Sequence, residues 1–179
     1  SIYQEDAKKV GTFLAENNIW LVYGGGKIGM MGALANELLA HDGKVIGIIP
    51  HLLKNEEVVH SELTELIETK TMSHRKVAMS KLVDGYIALA GGFGTLDEIF
   101  EALTLGQLGI ENKPIGLLNT NAFFNPILQQ LDVMVQEGFL KQVNRDMVLV
   151  STSIKDLIQQ MHTYKAPTMS KVVNTVVKK

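Results

Sequence analysis

The chain has 179 residues, which suits one full domain and leaves no comfortable room for two. Apolar residues make up 46% and charged residues 20%, and the charges sum to −2, so there is no basic footprint for nucleic acid. The lack of cysteine excludes disulfides and thiolate metal sites, and no apolar run approaches the ~18 residues of a membrane span. Residues 1–9 are polar, so no signal peptide opens the chain and a cytoplasmic location is expected.

Tyr3, Ala7, Val10 and Leu14 share one helical face, which predicts a helix over 3–17. IWLVY at 19–23 reads as a buried strand, and Gly24-Gly25-Gly26-Lys27-Ile28-Gly29 turns it into a second helix ending near His41. Residues 44–49 form the next strand, stopped by Pro50, and 50–62 are polar and irregular. A strand over 64–69 leads to a helix over 73–83 with Arg75 and Lys76 in its first turn. The apolar run 86–90 is a further strand; Gly91, Gly92 and Gly94 break it, and Leu96, Ile99, Phe100 and Leu103 recur at helical spacing after it. A strand over 114–119, a helix over 122–136, a strand over 147–150 and a helix over 153–162 complete the body. Residues 165–179 are a basic tail of no predicted structure, which leaves 1–164 as one domain.

Strands alternating with amphipathic helices predict a Rossmann-like, doubly wound parallel sheet in three layers, α/β/α, with right-handed crossovers. Such folds normally open on a strand, whereas this chain opens on a helix. A strand of roughly five or six residues and its loop are therefore expected ahead of Ser1.

Two glycine turns then stand at the carboxyl ends of parallel strands, the edge where open α/β sheets take their ligands. Gly24 to Gly29 matches G-x-G-x-x-G, but the strand ending at Ile49-Pro50-His51 lacks the acid that would hold a dinucleotide ribose. Met30-Met31 after Gly29 also rules out the phosphate loop of nucleoside triphosphatases. The turn at Gly91, Gly92, Gly94 and Thr95 leaves backbone N–H groups at a helix start, where the helix dipole favours phosphate. The same residues would also serve a tight connection with no ligand, and Thr95 to Glu98 reads as a capping box. Arg75, Lys76 and the turn amides on phosphate or base, with Glu98 on a ribose, would keep carboxylate and phosphate apart. The histidines show no metal-ligand spacing, and no G-x-S-x-G elbow is present.

Taken together, YGGGKIGMMG (23–32), MSHRK (72–76) and AGGFGTLDE (90–98) resemble the Lonely Guy family. Its members are nucleoside 5′-monophosphate phosphoribohydrolases, known for activating cytokinins and long mislabelled lysine decarboxylases. The likeness runs on through EALTLGQLGIENKPIGLLN (101–119) and covers about residues 3–157. The resemblance implies that Arg75 and Glu98 are catalytic and that Gly91, Gly92, Gly94 and Thr95 bind phosphate. It places Gly24, Gly25, Gly26, Met72 and Lys76 around the nucleotide. Ala90 departs from the family, which usually has proline there.

The chemistry so implied is hydrolysis of an N-glycosidic bond through an oxocarbenium-like transition state. Glu98 would hold the ribose and orient water, while Arg75 positions phosphate or base, its high pKa making it a poor proton donor. No metal or other cofactor is required, and nothing signals a pyridoxal phosphate lysine. The family forms homodimers, and the apolar excess of Ile99, Phe100, Leu103, Leu105 and Leu108 predicts a dimer through that helix. The alternative is a non-catalytic nucleotide or molybdenum-cofactor carrier of the same Rossmann-like body.

Overall fold

The computed structural model describes residues 1–54 and 59–168; most of the predicted basic tail lies outside the described residues. The chain divides into two compact units, Ser1–Val83 and Asp84–Lys179.

In the first unit, helix α1 (Ile2–Glu16) starts at Ser1, whose side chain accepts from the Gln4 N–H while the Gln4 side chain reaches back in a capping box. The helix buries Ala7, Val10 and Leu14 and packs on α2 (Gly29–Ala40). Strands β1 (Leu21–Tyr23), β2 (Val45–Pro50) and β3 (Glu65–Thr69) form a parallel sheet in the order β1-β2-β3. Every residue of β2 is buried, as a central parallel strand covered on both faces requires. Helices α2 and α3 (Met72–Leu82) both lie against it.

Pro50 does not stop this strand before its last residue, contrary to expectation; it is the last residue, opposite Thr69 of β3. The pairing with β1 ends at Gly47, so no ladder on that side needs the N–H that proline lacks.

In the second unit, β4 (Tyr86–Ala88), β5 (Ile115–Leu118) and β6 (Val148–Ser151) make a parallel sheet in that order. Helix α4 (Phe93–Gln107) lies on β4 and β5, and α7 (Ile154–Thr163) on β5 and β6. Between them α5 (Asn125–Gln136) is followed by a short α6 (Gln142–Arg145) that the sequence pattern does not announce. Ala88, Ile99, Ala102, Ile115, Leu117, Phe124, Leu131 and Val148 form the core of this unit.

The helix predicted over 122–136 begins three residues late. A 3-10 turn at Thr120–Ala122 precedes it, with Asn121 and Ala122 at φ 52° and 57°, a left-handed conformation that interrupts a right-handed helix. Asn119 holds the break: its side-chain carbonyl accepts from the Phe124 N–H at 2.8 Å, and its amide donates to Asn125 Oδ1 at 2.8 Å. Among the described residues no helix is long and apolar enough to cross a membrane.

Candidate active site

The sequence-predicted site residues fall into two groups, one in each unit. Gly24, Gly25, Gly26, Met72, Arg75 and Lys76 lie in the first, and Gly91, Gly92, Gly94, Thr95 and Glu98 in the second.

The first group is built where β1 runs out. Gly25 has φ +82°, a conformation that favours glycine, and its Cα lies so close to β2 that a Cβ on Gly47 would stand 2.9 Å from it. The buried Tyr23 hydroxyl donates to the Gly26 carbonyl at 3.0 Å, and burial pushes its pKa up, so it remains a donor. Thr71 caps α3 by accepting from the His74 N–H at 3.1 Å, which brings Met72, Arg75 and Lys76 into the opening turns of that helix. Met72 is exposed and Lys76 half-buried.

Arg75 is the surprise of this group, being only 7% exposed. Its guanidinium packs on Gly24 so closely that a Cβ there would stand 2.0 Å from Nη2. Its Nε has no hydrogen-bond partner among the described residues. A buried, incompletely satisfied cation is costly and calls for an explanation; an anion reaching it would supply one. Gly24→Ala is therefore expected to displace Arg75 and remove most activity. Gly26→Ala, whose Cβ would meet nothing within 4 Å, should be mild, and parallel rate measurements on the two folded variants check this.

The second group follows β4. The predicted capping box from Thr95 to Glu98 is corrected here: Gly92 is the N-cap of α4, at φ −97°, and being glycine it brings no side-chain cap to the helix. Thr95 lies inside the first turn, and its hydroxyl faces Gly91 so that a Cβ on Gly91 would come within 2.2 Å of Oγ1. The first bond of the helix runs from the Leu96 N–H to the Gly92 carbonyl at 3.2 Å. Helix geometry therefore leaves the N–H groups of Phe93, Gly94 and Thr95 without intrahelical acceptors. Gly92 and Gly94 are not needed for packing, since a Cβ on either would meet nothing within 4 Å. Glu98 is exposed, one turn beyond Thr95 on the same helix.

Sequence reasoning missed the clasp on the first loop. The His60 N–H donates to the Gly25 carbonyl at 2.9 Å, and Val59 makes an antiparallel bridge with Gly26. The polar, irregular reading of 50–62 carried no signal for it.

Parallel sheets flanked by helices, with glycine turns where β1 and β4 end, define a Rossmann-like α/β protein of the class that takes ligands at the carboxyl edge of its strands. A family model described as "Possible lysine decarboxylase" matches residues 31–161. Cytokinin riboside 5′-monophosphate phosphoribohydrolase LOG1 of Arabidopsis thaliana is 40% identical over 162 residues, 90% of this chain and 76% of the relative. The LOG enzyme of Oryza sativa subsp. japonica is 40% identical over 164 residues, 90% and 67% of the two chains. The chain belongs to this family, the Lonely Guy phosphoribohydrolases.

Among solved structures, the molybdenum cofactor binding protein of Rippkaea orientalis superposes with a TM-score of 0.67 at 24% identity, over 90% of this chain and 86% of that one. The molybdenum cofactor carrier protein of Chlamydomonas reinhardtii gives 0.64 at 19% identity, over 90% and 89%. At such identities these two share the fold alone.

Proposed function

We propose that this protein hydrolyses the N-glycosidic bond of nucleoside 5′-monophosphates, of the AMP or cytokinin riboside monophosphate type, to free base and ribose 5-phosphate. The observation that carries the reading is the open start of α4. Helix geometry leaves three N–H groups there without intrahelical acceptors, the N-cap Gly92 has no side chain to take them up, and a Cβ on Gly92 or Gly94 would meet nothing within 4 Å. A phosphate needs those donors and that clearance, and the dipole of a 15-residue helix favours its charge.

In the reaction the bond from C1′ to the base nitrogen breaks, water oxygen bonds to C1′, and the base leaves with a proton. Glu98 holds the ribose hydroxyls, orients the water and stabilises the positive charge that builds on the sugar. Arg75 holds phosphate or base as a permanent cation, and Gly24, Gly25, Gly26, Met72 and Lys76 line the nucleotide. The cysteine-free composition fits a cytoplasmic setting.

The test is incubation with a panel of nucleoside monophosphates, followed by chromatography for base and ribose 5-phosphate. Release of both supports the reading; an inert protein that retains a bound ligand would replace it with a carrier. Gly94→Ala gives a sharper check. The added methyl meets nothing in the protein and should leave stability unchanged or raise it by up to about 1 kcal/mol. It should nevertheless raise KM for the monophosphate, because it projects into the clearance above the open N–H groups. Melting curves beside saturation kinetics read both effects.

The protein acts as a homodimer packed through α4 in this reading. Leu96 and Leu103 pack against the core while Phe100 and Leu108 remain 37% and 39% exposed, more apolar surface than one buried stripe leaves. A monomeric mass by light scattering at micromolar concentration would overturn that assembly.

A further inference from the structure

We infer that His60 is a positioning residue, a buckle that holds the Gly24–Gly26 loop in register for Arg75. The inference rests on the proposed hydrolysis only for its kinetic consequence, not for the contact itself.

His60 is 5% exposed, and both ring nitrogens are engaged. The Glu62 N–H points at Nδ1 at 3.2 Å, so Nδ1 accepts and the ring proton sits on Nε2. Nε2 in turn donates to Asn36 Oδ1 at 2.7 Å. Asn36 lies on α2, the helix into which the glycine loop leads. The main-chain N–H of His60 donates to the Gly25 carbonyl at 2.9 Å, and the neighbouring Val59 bridges Gly26.

One residue thus joins the loop to the helix that follows it, side chain on the helix and backbone on the loop. The consequence passes to Arg75 through Gly24. That contact is close, since a Cβ on Gly24 would overlap the guanidinium, so a shift of the loop would move Arg75 or open a gap beside it. A buried histidine with both nitrogens satisfied is often only a stabilising element of a core. Here its backbone holds a loop, and the loop packs against a buried cation whose Nε has no partner among the described residues. These contacts give it a role in geometry as well as in stability.

The experiment compares His60→Ala, His60→Gln and Asn36→Ala with the unaltered protein. Glutamine places an amide N–H close to the position of Nε2 and can still donate to Asn36. His60→Ala is expected to lower kcat/KM for AMP by about tenfold or more, chiefly through KM, in a chain that still melts cooperatively. His60→Gln should recover most of that loss. Asn36→Ala breaks the same bond from the other side and should reproduce part of it. The double variant should be no worse than His60→Ala, since residues acting through one bond are not additive.

Hydrogen exchange at residues 24–29 gives a readout independent of catalysis, and His60→Ala should speed it. If the unaltered protein cleaves no nucleotide, the proposed function falls while exchange still decides the buckle. Unchanged exchange and unchanged kcat/KM in His60→Ala would overturn the inference. So would a loss no larger than the unfolded fraction explains and equal in His60→Gln. Should His60→Ala fail to fold, Asn36→Ala decides by the same two readouts.

Discussion

Glu98→Gln is expected to leave a folded chain whose AMP hydrolysis has fallen by about 10²-fold or more. The substitution keeps shape and hydrogen-bonding capacity but removes the negative charge that would face the developing oxocarbenium ion. Glu98 is exposed on α4, so the change should move stability little. The capping role that once competed with a catalytic one is gone, because the helix starts at Gly92 and not at Thr95. A fully active Gln variant would therefore sink the catalytic assignment outright.

Arg75→Ala should lose activity on a similar scale, but it also empties a buried position beside Gly24. Arg75→Lys separates the two effects, since it keeps the charge and much of the volume while losing the planar fork of donors. If geometry at the guanidinium matters, the lysine variant is folded and slow. Activity close to that of the unaltered protein would leave Arg75 only a packing role.

The second large effect concerns the phosphate. Adenosine should be cleaved at least about 10²-fold more slowly than AMP at equal concentration, because binding energy from a remote phosphate helps place C1′ against Glu98 and water. The open N–H groups of Phe93, Gly94 and Thr95 are where that energy would be gained. A triphosphate should also be poor, since the turn has three glycines and one threonine but no lysine to carry further charge. Thr95→Ala is a cleaner probe than the sequence pattern promised. Its hydroxyl caps nothing and faces Gly91, so removing it should weaken monophosphate turnover without the cost of a lost cap. Initial rates for the two substrates on both proteins provide the measurement. Equal rates for adenosine and AMP would mean that the turn is only a turn.

By itself the sequence determined the alternation of strand and helix, the parallel sheets that follow from it, and the position of both glycine turns at strand ends. These are local matters, written in periods of apolar residues and in glycines that interrupt them. The family and its motif residues were legible for the same reason, as contiguous strings. Where the helix of the second turn begins was not, because Thr95-x-x-Glu98 and Gly92 are both competent starts and only the fold of the turn decides between them. Pro50 read as a stop, yet it ends a strand at a place where one neighbour has already finished. Arg75 read as a cation in the first turn of a helix, with nothing to show that it is buried; it packs on Gly24, far away in sequence, which offers a surface with no side chain. His60 read as an isolated histidine in a polar stretch. Its partners Gly25 and Asn36 come to it only through the packing of the loop and α2, and contacts between residues so far apart along the chain leave no period for a sequence to display.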